Sequence, residues 1–159
     1  MMNIGEQPVL GSHGVVTSLA WGMQGKVNYV LEGNINYTGA VITWLKDDME
    51  LIQSPGETEE LCRKAEQDDS LYFVPAFTGL GAPYWDSEAK GALSGITRTT
   101  RKAEMVRAGV ECIAYQITDV IRAMSQDAGT QVQELRVDGG PTANGYLMQF
   151  QSDIADTKV

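Results

Sequence analysis

The chain has 159 residues, 43% hydrophobic against 21% charged, so it is long and apolar enough to bury a core without disulfides or metals and is unlike a disordered chain. A formal net charge of −9 argues against nucleic-acid binding, and the nearest basic cluster, Arg98, Arg101, Lys102 and Arg107, lacks the interleaved aromatics of a single-strand platform. Cys62 and Cys112 give neither a disulfide framework nor metal-ligand spacing, and no apolar run approaches the roughly 20 residues that span a bilayer, nor does the start read as a signal peptide, so a reduced cytoplasm is expected.

The first elements are strands over residues 15–21 and 26–31, separated by the turn Gly22-Met23-Gln24-Gly25, which makes a hairpin. Over residues 34–52 Tyr37, Val41, Trp44, Leu45, Met49 and Ile52 recur at helical spacing, with Gly39 inside that helix. A polar stretch follows over 53–70, broken at Pro55-Gly56 and carrying a short surface helix over 57–66 with a solvated charged face. Residues 71–75 read as a buried strand, 77–86 as a loop dense in glycine and aromatics, and 92–97 as another strand.

The strongest helix starts after Thr100 and runs to residue 126, with Val106, Val110, Ile113, Ile117, Val120, Ile121 and Met124 on one stripe. Trp44, Val110, Ile113, Ile117 and Phe150 are expected in one core, and Ile117→Ala is expected to cost about 2–5 kcal/mol. Residues 135–137 read as a central strand parallel to a neighbour, Asp138-Gly139-Gly140 as a tight turn, and a helix follows from Pro141 through Ile154.

A strand that ends in two glycines and feeds a helix lets a ligand approach bare backbone, and the helix start offers free N–H groups. Asn144 follows Gly140 by four residues, so its amide stands beside whatever the glycines admit. Gly39 and Thr43 repeat that spacing, and two such clefts facing each other suit a flat base. His13 is the only histidine, which leaves little room for a Ser-His-Asp or Cys-His arrangement, and no carboxylate pair is marked by spacing as acid and base.

Several longer runs resemble the glycerol kinases among the FGGY carbohydrate kinases: Tyr29-Val-Leu-Glu-Gly33, Gly39-Ala-Val-Ile-Thr-Trp-Leu-Lys46 and Val74-Pro-Ala-Phe-Thr-Gly-Leu-Gly-Ala-Pro-Tyr-Trp-Asp86. Arg136-Val-Asp-Gly-Gly140, Asn144 and Leu147-Met-Gln-Phe-Gln-Ser-Asp153 are similar to the adenosine-binding segment of that family, and residues 91–111 follow its second motif. Thr43 stands where those kinases carry a glutamine, Pro141-Thr142 where they carry Ala-Val, and Gly145 where they carry a second asparagine.

The resemblance implies an α/β domain of the ribonuclease-H-like, actin-like ATPase class, with a mixed central sheet flanked by helices. It makes residues 1–159 a single, partial C-terminal domain on the nucleotide side, incomplete at both ends. It implies ATP contacts at Gly39, Thr43, Gly140 and Asn144, the same two glycine-plus-four pairs. Phosphoryl transfer from ATP with Mg²⁺ to glycerol or a related polyol or sugar is implied for the complete enzyme. Its catalytic base, polyol contacts and phosphate loop are expected upstream in a missing N-terminal domain, so the isolated chain is expected to be inactive. A homo-oligomer is expected, without nucleic acid or membrane. The alternatives are another FGGY sugar or sugar-acid kinase, or a structural or assembly module whose glycines serve packing alone.

Overall fold

The computed structural model of the chain describes residues 1–66 and 70–159. Residues 67–69, part of the polar stretch 53–70, lie outside the described residues.

The expected hairpin forms. Strands β2 (Val16–Met23) and β3 (Lys26–Glu32) pair antiparallel across Gln24 and Gly25, whose φ angles of 53° and 79° are both left-handed. Two-residue loops of this kind match the twist of the strands they join. A further strand, β1 (Met2–Gly5), pairs antiparallel with β3 and makes the order β1-β3-β2. Its four residues are the least over which alternation marks a strand.

The helix expected over residues 34–52 is shorter at both ends. Helix α1 spans Gly39–Thr43 and continues as a π-helical turn over Trp44–Asp48. Carbonyls that an earlier start would need are used elsewhere: Asn34 O accepts from Ala82 N–H and Tyr37 O from the Gln116 amide, both at 3.0 Å. At the far end Glu50 turns left-handed with φ 52°, a conformation that cannot continue a right-handed helix. Gly39 therefore opens the helix and does not lie inside it.

Helix α2 spans Glu57–Lys64, and strands β4 (Tyr72–Val74) and β5 (Ala92–Ser94) pair antiparallel. The loop between these strands acts as scaffold: Tyr84 Oη donates to Asp119 at 2.8 Å and Trp85 Nε1 to Gly14 O at 2.7 Å. Helix α3 (Lys102–Ala128) is the spine. Gly129, at φ 63°, ends it, with the N–H groups of Gly129 and Thr130 taking the carbonyls of Gln126 and Ser125.

Two cores lie along α3. Its first half packs with α1, α2 and β4 in a cluster containing Val110 and Ile113, with Trp44, Ile117 and Phe150 against it, so the five expected core residues do share one core. Its second half, through Val120, Ala123 and Met124, packs on Val15 and Leu31 of the three-stranded sheet region. Arg107 leaves the basic cluster, being buried with Nη1 donating to Glu66 O at 2.6 Å. Both cysteines are buried and free, and burial pushes the Cys62 thiol up to about 12, which fits an inert packing role.

The strand expected at residues 135–137 does not form, so it is no central parallel strand. The segment makes one parallel bridge, Glu134 to Lys158, with Leu135 N–H donating to Lys158 O at 2.7 Å, and Val137 stays 40% exposed. A single bridge sets a register without building a ladder. Helix α4 (Gly145–Ala155) also starts later than Pro141, after a 3-10 turn over Gly140–Ala143. Asn144 is its N-cap, extended at φ −87° and ψ 102°, with Oδ1 accepting from Leu147 N–H at 2.9 Å. Asparagine is among the preferred residues there because its side chain replaces a missing helical acceptor.

Ser12, His13 and Asp127 meet, but not as a catalytic triad. Ser12 Oγ and His13 Nδ1 both lie 2.6 Å from Asp127 Oδ1, while the N–H groups of Ser12 and His13 donate to Oδ2 at 3.0 and 3.1 Å. A triad serine must be free of the carboxylate and bonded to the opposite ring nitrogen. The cluster instead pins the loop before β2 to the end of α3. Burial alone would raise the Asp127 carboxyl, but the Ser12 and His13 hydrogen bonds outweigh it and hold the carboxyl below its ordinary range. A carboxylate with a depressed folded value contributes stability above the unfolded value of about 3.9 and loses that contribution as pH falls through the folded one. Thermal unfolding should therefore show Asp127→Asn well below the parent near about pH 6, with the gap beginning to narrow only as pH falls below about 3.9. A gap that does not change with pH would contradict this account.

Candidate functional site

The two glycine-plus-four pairs come together. One open cleft of about 290 Å³ is lined by Gly39, Thr43, Gly140 and Asn144, so every residue singled out from the sequence faces it. Gly39 and Thr43 stand one turn apart on α1, and the Thr43 hydroxyl is 3.4 Å from Gly39 O. Gly140 opens the 3-10 turn opposite, and Asn144 ends it. The floor is apolar: Val110 of α3 and Leu147 of α4 close it.

The start of α2 supplies a third wall, with Pro55, Gly56, Thr58 and Glu59. Periodicity assigns this helix to a solvated face, and Glu57, Glu59 and Glu60 in its first turn support that reading. The available signal is Thr58, a β-branched residue among the three glutamates of the first turn, just after the Pro-Gly break, and it is 3% exposed. The Glu59 carboxyl is held below its ordinary value by its hydrogen bond from Arg63 and then by the Gly145 N–H.

Several glycines in this chain are required by their surroundings. A Cβ on Gly33 would lie 2.5 Å from Val120 Cγ1, and one on Gly14, at φ 83°, would lie 2.0 Å from Pro83 O. Those positions need glycine for packing or conformation. Gly39 and Gly140 need it for neither reason: no heavy atom lies within 4 Å of an added Cβ, and neither φ is in the left-handed region. The room their missing side chains leave is cleft volume. At 290 Å³ the cleft is at the small end of ligand pockets, which run from about 300 Å³, and it suits a base with part of its sugar better than a whole nucleotide.

The profile of the FGGY family of carbohydrate kinases, C-terminal domain, matches residues 1–159. The chain belongs to this family.

Among FGGY relatives, the glycerol kinases of Bacillus anthracis (strain A0248) and Petrotoga mobilis are each 50% identical to it over 100% of the chain. The chain spans 32% of the length of each. Among solved structures, Plasmodium falciparum glycerol kinase with ADP superposes with a TM-score of 0.90 at 37% identity, covering 98% of this chain and 31% of that one. Gluconate kinase from Lactobacillus acidophilus gives a TM-score of 0.79 at 25% identity, covering 96% and 31%. The fold is accordingly that of the actin-like, ribonuclease-H-like ATPases, in its FGGY form.

Proposed function

We propose that this chain is the nucleotide-side part of an ATP-dependent kinase that phosphorylates glycerol to glycerol 3-phosphate, and that it holds the adenosine end of ATP. The observation that carries this reading is the pair of open glycines, Gly39 and Gly140, on facing walls of one cleft with Thr43 and Asn144 beside them. Packing glycines would be crowded, so the reading as a purely structural module is the weaker one. Glycerol is favoured over gluconate because glycerol kinases are 50% identical over the whole chain while the gluconate kinase structure is 25% identical.

The roles follow from the geometry. Ile42 and Pro141, half-exposed above the floor, give the base apolar surface, Gly39 and Gly140 let its two faces or its ribose approach backbone, and Thr43 and Asn144 edge the site. In phosphoryl transfer a base takes the acceptor hydroxyl proton while cations steady the moving phosphoryl group. Among the described residues no group of three His, Cys, Asp or Glu side chains could hold a metal, so Mg²⁺ is assigned to none of them. The proposal places metal, general base and glycerol contacts in a further domain, which the length of the relatives accommodates. We place the enzyme in the cytoplasm as a homo-oligomer; no helix among the described residues is long and apolar enough to cross a membrane.

The test is calorimetry of the purified chain with ADP, together with a coupled assay of ADP release from ATP with glycerol. Weak, saturable ADP binding without glycerol-dependent turnover is expected. No ADP binding at millimolar concentration would remove the nucleotide reading, and turnover by this chain alone would remove the assignment of the base elsewhere.

A further inference from the structure

The wall carrying Gly140 and Asn144 is a 3-10 turn that leads into α4 and not the end of a strand, so side-chain contacts help to fix its distance from Gly39. Two contacts reach it from α2. Asn144 Nδ2 donates to Thr58 Oγ1 at 3.0 Å, and Gly145 N–H donates to Glu59 Oε2 at 3.2 Å. Thr58 is itself held, because Oγ1 donates its one proton to Pro55 O at 2.6 Å and so offers Asn144 only a lone pair. The Asn144 amide is thereby oriented at both ends, with Oδ1 on Leu147 N–H and one Nδ2 proton on Thr58, leaving a single Nδ2 proton for anything in the cleft.

We infer that Thr58 is a positioning residue of the cleft, fixing through its hydroxyl the orientation of the Asn144 amide, with Glu59 holding the next backbone N–H. This rests on the nucleotide reading above. Valine in place of Thr58 keeps the shape and removes both the acceptor used by Asn144 and the hydroxyl donor to Pro55 O; Pro55 O keeps the Thr58 backbone N–H at 3.2 Å, and Asn144, being half-buried, can turn its freed amide to water, so the fold should survive. Serine restores the acceptor.

The experiment measures, on the purified chain, ADP affinity by calorimetry and hydrogen exchange of residues 140–147 without nucleotide, for the parent, Thr58→Val and Thr58→Ser. Expected for Thr58→Val are about tenfold weaker ADP binding and about tenfold faster exchange of that segment, in line with loss of one hydrogen bond. Thr58→Ser should stay within about twofold of the parent in both, since the bond remains. Three results overturn the inference: unchanged affinity and exchange in Thr58→Val, faster exchange with unchanged affinity (a purely structural contact), or weaker affinity with unchanged exchange (a direct ligand contact). A parent chain that takes up no ADP fails differently, since it sinks the nucleotide reading itself whatever the exchange shows.

Discussion

Gly140→Val is expected to weaken ADP binding by at least about 100-fold, or roughly 2.8 kcal/mol, while changing the stability of the chain by less than about 0.5 kcal/mol. The first half follows from where the new methyl groups go. Gly140 lines the cleft and an added Cβ there meets nothing within 4 Å, so a side chain is expected to extend into the cleft mouth, whose 290 Å³ leave little spare room once a base is inside. The second half follows because no atom beyond the chain neighbours meets the new Cβ, and the entropy recovered on replacing a glycine offsets the crowding of that Cβ against the ring of Pro141. Gly33→Val is the control: its Cβ would press on Val120 Cγ1 at 2.5 Å, so it should lower stability. Calorimetry and thermal unfolding on the two variants check the pair. Parent-like ADP affinity in Gly140→Val would show that the space is not the ligand's.

The cleft residues were legible because their signal is local. A glycine followed four residues later by a polar side chain places both on one helical face, and Gly39 with Thr43 satisfies this on α1. For Gly140 and Asn144 the spacing led to the cleft by a different geometry, since a 3-10 turn and an N-cap replace the expected first helical turn. Both arrangements turn the residues toward one cleft, so their juxtaposition was legible where the element was not. Thr58 and Glu59 were hidden for the opposite reason. Their charged neighbours describe a solvated helix, and only the tertiary approach of Asn144 and Gly145 turns that helix start into a wall.

The fold divides in the same way. The stripe on α3 identifies its core face from sequence because 27 residues give many repeats of the period. Helix α1 was overextended because apolar spacing says nothing of where carbonyls find their partners, and those of Asn34 and Tyr37 find them in residues distant in sequence. The segment at 135–137 shows the converse limit. Its composition is that of a strand, but pairing is a property of neighbours, and the segment has a single bridge.

Ile113→Ala is expected to destabilise the chain by about 2–5 kcal/mol, a large share of the roughly 5–15 kcal/mol that holds a domain of this size together. Ile113 is 2% exposed within the cluster shared by α1, α2, α3 and α4, so its loss leaves a cavity walled by four helices that cannot all collapse toward it. Ile117, the residue marked by the sequence stripe, only packs against that cluster from a half-buried position, and its truncation should fall at or below the bottom of that range. Urea unfolding of the two variants tests the order, and an Ile117→Ala cost above that of Ile113→Ala would mean that the buried face of α3 is misplaced. Val110, on the cleft floor, lies three residues before Ile113 on the same face. Ile113 itself does not line the cleft, so ADP affinity of the folded variant should stay within about threefold of the parent. Such a variant is the mirror image of Gly140→Val: one loses stability and keeps its ligand, the other keeps stability and loses it. A large affinity loss in Ile113→Ala would show that the cleft depends on the exact packing of the core beneath it.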